Sequence, residues 1–268
     1  MKLNELISII EKKFPNNLQY DWDNSGLNIG YGDKDINRIL TTLEITEDTV
    51  DEAIKSNIDL IISHHPFLFN KINRIVDTDT KGALAIKLIE NNIAVYCMHT
   101  NYDIAFGGLN DYFLTLMGIE NCGVLDPISS YDDYENGRMF GLGRIGKLKK
   151  STTIEKFIIA LKARLKLNTI RFVGKNINSS VKSIAVVTGA GAEYFEMIAR
   201  SNIDVLVTGD MKYHQAVDAY ELDVNVLDLG HYGTEYIFSD AIKKYIDEEI
   251  GGIKVQVSAN MLNPFIEC

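Results

Sequence analysis

The chain has 268 residues, 46% hydrophobic and 24% charged, the balance of a globular protein long enough for one large domain or two lobes. Its 27 Lys and Arg against 37 Asp and Glu give a formal charge of −10 with no basic block, which disfavours a general duplex-binding role built on neutralising phosphates. Three cysteines, Cys97, Cys122 and Cys268, without C-x-x-C spacing, fit a reducing cytoplasm rather than a disulfide scaffold.

The opening stretch MKLNELISIIEKKFP has apolar residues at helical spacing, but they are broken by charge and too short for a signal sequence. No later segment approaches the ~18 uninterrupted apolar residues of a membrane span. The expectation is a cytoplasmic protein without a membrane partner.

The next elements are best read through an internal repeat. SNIDLIIS at 56–63 matches SNIDVLVT at 201–208, a displacement of 145 residues. The same displacement lays Arg38–Lys55 over Ser183–Arg200 without a gap, each a β-branched run leading into a helix-period segment. Each copy then continues with a helical stretch, KGALAIKLIENN or KYHQAVDAYEL, and a third strand, IAVYCMH or VNVLDLGH. Alternating strands and helices of this length imply mostly parallel sheets with right-handed crossovers, so the expected fold is α/β: two related lobes built on a β-α-β repeat. Cys97 falls inside one of these apolar strands and reads as core rather than as a nucleophile.

Lobe boundaries are expected at 1–125 and 183–268, with 126–182 connecting them. The turn-rich, acidic DPISSYDDYENGRM at 126–139 is the linker candidate. Beyond it come a strand in RMFGLGRIGKL, a helix in STTIEKFIIALKARLKL with Thr152 and Glu155 at capping-box spacing, and a strand in TIRFVG. GLGRIG matches G-x-G-x-x-G, but no helix opens directly after it, so it is rejected as a dinucleotide site.

Ligands of open parallel sheets bind outside the carboxyl ends of the strands. All five histidines fall there: His64 and His65, then His99 with Asp103 four residues on, His214 shortly after Asp210, and His231 with Glu235 four residues on. A helix starting near Gly233 would put Glu235 in its first turn. Adjacent side chains on a strand alternate, so His64 and His65, at a strand end turned by Pro66, splay toward two neighbouring ions. Imidazole and carboxylate together suit two divalent transition-metal ions, zinc, iron or manganese, better than calcium or magnesium. His214 stays open between a supporting, catalytic or packing role. Asp210 stays open between metal binding, orienting His214 and capping the following helix, and Glu44 between a site role and a surface acid.

WDNSGLNIG at 22–30, SHHPFLF at 63–69, HTNYD at 99–103, GGLND at 107–111, GRMFGLGRIG at 137–146, VTGDMKYHQA at 207–216 and GHYGTE at 230–235 together resemble the dinuclear metal-centre family of GTP cyclohydrolase I type 2 homologues, also called NGG-one-interacting-factor-three-like proteins. The resemblance spans essentially the whole chain. It implies metal ligation by His64, His65, Asp103, His231 and Glu235, with Glu235 bridging. It leaves His99, His214 and Asp210 as catalytic candidates and implies a homohexameric ring. Two departures stand out: the family usually has Asp where this chain has Glu44, and there is no room for the extra domain that longer members insert.

The activity the resemblance implies is hydrolytic opening of the GTP imidazole ring with release of formate. The residues make no P-loop, and the candidate phosphate partners Lys71, Arg74, Arg144 and Lys212 are by default surface charges. The alternative is a ring-shaped metal-binding scaffold for partners, without turnover. Five protein ligands over two ions leave positions for water, as in catalytic rather than closed structural centres.

Overall fold

The computed structural model describes residues 1–128 and 139–266. Ser129 to Arg138 of the expected linker, and Cys268, lie outside the described residues. The chain forms two compact units, Met1–Ala105 with Tyr236–Pro264, and Phe106–Glu235 with Phe265–Cys268.

Unit 1 opens with α1 (Leu3–Lys13), whose Leu3, Leu6 and Ile10 make one buried stripe at helical spacing. Then come β1 (Gly26–Ile29), β2 (Arg38–Thr42), α2 (Glu47–Lys55), β3 (Leu60–Ser63), α3 (Thr80–Glu90), β4 (Ala94–Cys97) and the short α4 (Thr100–Ile104). Unit 2 follows with α5 (Leu109–Met117), β5 (Glu120–Pro127), β6 (Gly141–Thr153), α6 (Ile154–Arg164), β7 (Arg171–Val173), β8 (Ser180–Val186), α7 (Phe195–Ile198), β9 (Val205–Thr208), α8 (Tyr213–Glu221), β10 (Val226–Asp228) and α9 (His231–Glu235). The chain then returns to unit 1 with α10 (Phe238–Glu249) and β11 (Lys254–Val257).

The sheet of unit 1 has the order β1-β4-β3-β2-β11, parallel throughout except for the antiparallel edge strand β1. That of unit 2 has the order β5-β6-β8-β9-β10-β7, with a parallel β8-β9-β10 centre and antiparallel strands outside it. β3, β4 and β9 are buried at every position, which is why they read as unbroken apolar runs rather than alternating ones.

The repeat holds at the level of register. Ile39 pairs with Leu60 and Thr41 with Ile62 in unit 1; 145 residues on, Ile184 pairs with Val205 and Val186 with Val207 in unit 2. Even a buttress recurs: Asp59 accepts the backbone N–H groups of Asn37 and Arg38, and Asp204 accepts those of Lys182 and Ser183. The helices pack the same faces. α2 and α3 bury Val50, Ala53, Ala85 and Leu88 against Leu40, Ile61 and Val95, and α7 and α8 bury Phe195, Ile198 and Ala219 against Ala185, Leu206 and Val226. Each fully buried Val, Leu or Ile among them contributes about 1.5–3 kcal/mol.

The unit boundaries differ from the expected ones. α5 and most of β5, expected in the first lobe, and β6, α6 and β7, expected in the connector, are part of unit 2, because β6 sits between β5 and β8. Conversely, β11 pairs in parallel with β2 and belongs to unit 1. The cap of α6 is Thr153, whose hydroxyl accepts the Lys156 N–H, rather than Thr152. GLGRIG lies wholly inside β6, as its rejection as a nucleotide loop requires. Among the described residues, no helix is long and apolar enough to cross a membrane.

Candidate metal centre

In unit 1, β3 ends at Ser63 and the chain turns at the double histidine. The turn is tightly pinned: His64 and His65 N–H donate to Thr42 O and Leu43 O, Met98 N–H donates to Ser63 O, and Ser63 Oγ donates to His65 O. His64 is fully buried, and its Nδ1 lies 2.7 Å from Met98 O. A carbonyl only accepts, so Nδ1 carries the proton of the neutral ring and Nε2 presents a lone pair. That Nε2 lies 3.7 Å from Oδ1 of the buried Asp103 on α4. The half-buried His65 has the same arrangement with a different partner, its Nδ1 lying 2.7 Å from Glu44 Oε2. The two rings are 5.3 Å apart, with one ring nitrogen of each within 4.8 Å of the other.

Burial pushes the Glu44 carboxyl up, but the hydrogen bond and charge of His65 outweigh it and hold Glu44 below the usual carboxylate range. Glu44 is thus a partner of His65 rather than a surface acid: a carboxylate only accepts, so it holds that ring's Nδ1 proton.

His99 stands at the N-terminal cap of α4, its ring 5.3 Å from His64 and 5.6 Å from His65. Its Nδ1 lies 2.7 Å from Asp23 Oδ1, and its backbone N–H donates to Ser25 Oγ, which itself donates to Asp23 Oδ2. Thr100 N–H also donates to Asp23 Oδ2. Burial raises the Asp23 carboxyl, yet His99 and Thr100 together hold it far below its ordinary value. Asp23 was not singled out from the sequence, although it lies in the quoted WDNSGLNIG; it belongs to no repeat copy and stands far from any histidine in sequence.

In unit 2, α9 begins at His231 itself rather than near Gly233, so Glu235 closes the helix instead of opening it. Asp210, at φ +56, accepts from His231 Nδ1 at 2.8 Å, while His231 Nε2 lies 2.9 Å from the buried Glu235 Oε2. A neutral imidazole has one N–H and cannot donate to both carboxylates. With Asp210 taking the Nδ1 proton, Nε2 and Glu235 together form a donor pair suited to a cation.

Gly189 makes room for this pair. Its φ is +69, and a Cβ there would stand 2.2 Å from Glu235 Oε1. Its N–H donates to Thr234 Oγ1 at 2.8 Å, and that hydroxyl donates to His231 O.

Several expected roles need correction. Asp210 neither caps α8, whose cap residue is Lys212, nor orients His214; it holds His231, because its left-handed backbone turns the carboxylate toward that ring. His214 is exposed on α8, with its ring 5.3 Å from Tyr213. Arg144 is not a surface charge: it is 1% exposed, paired with Asp111 at 2.8 Å and donating to Gly141 O and Gly143 O. Lys71, Arg74 and Lys212 are exposed. Cys97 is core as expected, its thiol donating to His64 O and its pKa pushed well up by burial.

The donor set therefore fits divalent transition metals: imidazole nitrogens with their protons committed to other acceptors, and buried carboxylates beside them.

Known proteins share this chain's sequence and fold. A GTP cyclohydrolase 1 type 2 homolog of Clostridium perfringens is 36% identical over 269 residues, covering 99% of both chains. A crystal structure of a Staphylococcus aureus hypothetical protein matches with a TM-score of 0.90 at 28% identity, covering 100% of this chain and 99% of that one. The Bacillus cereus protein related to NIF3 matches with a TM-score of 0.88 at 27% identity, with the same coverage. The family model Duf34/NIF3 (NGG1p interacting factor 3) matches residues 1–264, and the chain belongs to that family.

Proposed function

We propose that the protein is a metal-dependent hydrolase in which His64, His65, Asp103, His231 and Glu235 hold two divalent transition-metal ions. The observation that carries this reading is the pair of consecutive imidazoles whose Nδ1 protons are already committed, one to a backbone carbonyl and one to Glu44. That arrangement costs two buried or half-buried histidines and is the one a metal requires.

Bound there, the ions would supply Lewis acidity and a water acidic enough to ionise near neutral pH. The chain's own residues do the rest. Met98 O and Glu44 keep the unit 1 ligands in the metal-binding tautomer, and Asp210 does the same for His231. Asp23 holds the Nδ1 proton of His99, so that Nε2 is the basic nitrogen left to take and return a proton. His214, exposed on α8, has no comparable support and is assigned no step.

The name carried by the relatives points to GTP as substrate, with attack on the imidazole carbon of guanine and release of formate. We assign the protein to the cytoplasm as a hexamer on the same resemblance. The test is to incubate metal-reconstituted protein with GTP and assay formate and a pterin triphosphate, with elemental analysis alongside. Glu235→Ala must lose both metal and turnover. Formate release that survives in this variant refutes the mechanism, and fewer than about one ion per chain refutes the dinuclear centre.

A further inference from the structure

Beside the three histidines of unit 1 stands an aromatic corner that the metal chemistry does not use. Trp22 is 59% exposed and Phe69 50%, and their rings lie 6.1 Å apart at 69°. Both meet His99 edge to face, Trp22 at 6.0 Å and 73° and Phe69 at 6.2 Å and 84°. Tyr20 stacks beside Trp22 at 5.6 Å and 19°.

The backbone beside these rings is fixed by built contacts. Asn24 Nδ2 donates to Leu68 O at 2.7 Å, and Leu68 N–H donates to Asn28 Oδ1, so the turn that carries Trp22 is tied to the residue before Phe69. Asp23, next to Trp22, is fixed by Ser25, Thr100 and His99.

We infer that Trp22 and Phe69 form a stacking platform for a planar heteroaromatic ring of purine type, seated against His99. This rests on the hydrolase reading and names the side chains that hold the base of its substrate. Every such ring offers a π-face to an aromatic side chain, and a base laid on the Trp22 indole sits one ring away from the Asp23–His99 pair. The segment after Phe69 supplies the exposed Lys71 and Arg74, so an anionic tail on the same ligand meets positive charge in a chain whose net charge is −10.

Trp22 is the chain's one tryptophan, so its emission reports the platform directly. Full-length protein, metal-loaded or stripped, is titrated with guanosine, GTP and inorganic tripolyphosphate. Guanosine and GTP are expected to quench saturably and tripolyphosphate is not. Phe69→Ala should weaken quenching affinity about ten-fold or more, and Trp22→Ala, followed by calorimetry, should do the same while Trp22→Phe retains binding.

The readout needs neither metal nor turnover, so quenching by guanosine in a protein that releases no formate still supports the platform. Absence of saturable quenching, or unchanged GTP affinity in both alanine variants, overturns it. So does a Trp22→Ala variant that changes oligomeric mass in light scattering while its GTP affinity holds, which would give the surface to a second copy of the chain.

Discussion

Gly189→Ala tests whether the space beside Glu235 belongs to the metal site. The backbone there is left-handed at φ +69, which costs a residue with a Cβ about 1–2 kcal/mol, and the new methyl carbon would stand 2.2 Å from Glu235 Oε1. Glu235 is 3% exposed and lies 2.9 Å from His231 Nε2, so its carboxylate has little room to swing without breaking that contact. Two separable effects follow. The metal-free protein should lose the backbone strain, a melting shift of about 2–8 °C, and beyond that the cost of displacing the Glu235 carboxylate. Metal affinity, measured by competition with a chromophoric chelator, should fall about 10- to 100-fold, the scale of a misplaced ligand support. The Thr234→Ser control keeps the hydroxyl that accepts the Gly189 N–H and should bind metal normally. Unchanged affinity in a folded Gly189→Ala protein would refute the placement of Glu235 at the metal.

Glu44→Gln should weaken metal binding about ten-fold or more in the same competition assay, because an amide can offer its N–H as readily as its oxygen and no longer fixes the His65 tautomer. Arg144→Ala removes one partner of a buried ion pair and should cost about 3–5 kcal/mol in urea unfolding, whereas the double variant Arg144→Met, Asp111→Leu should recover much of it. Glu52 accepts from Gln256, Ser258, Asn260 and the Ala259 N–H, so Glu52→Ala should cost about 2–3 kcal/mol and raise hydrogen exchange in β11 and the turn after it. Burial raises the Glu52 carboxyl, but those donors hold it below its ordinary value. The folded pKa is therefore depressed, so its contribution is full above the unfolded carboxyl's ordinary value of about 4.3 and is lost as pH falls through the depressed folded value, and the stability gap between wild type and Glu52→Ala should narrow steadily in acid.

The repeat was legible because buried parallel strands leave unbroken β-branched runs and because the Asp59 and Asp204 buttresses need the same residue at the same step. Strand ends followed from it, and with them the histidines. Which sheet each flanking strand completes was not legible. β11 joins β2 across more than 200 residues of sequence, and nothing in the alternation of Lys254–Val257 says which sheet it completes. Asp23 was hidden for the same reason, since an acid 76 residues from its imidazole leaves no local spacing to detect. Arg144 was misread because a charged residue is exposed by default, and only three-dimensional pairing with Asp111 reverses that prior.

The two copies of the strand end solve one problem in opposite ways. In unit 1 position 65 carries an imidazole and position 44, at the end of the neighbouring strand, carries the carboxylate that orients it. Displaced by 145 residues, those positions are Asp210 and Gly189: the carboxylate has moved to the histidine's place, where it orients His231, and the carboxylate's place has lost its side chain. The vacated volume is the one Glu235 enters, since a Cβ on Gly189 would meet Glu235 Oε1. The sheet register also places Thr234, not Glu235, at the step equivalent to Asp103, so the two His-x-x-x-acid pairs are one residue out of phase. A duplicated frame thus holds His65 from residue 44, after β2, and His231 from residue 210, after β9, and each of the two departures, Asp210 for His65 and Gly189 for Glu44, is intelligible only alongside the other.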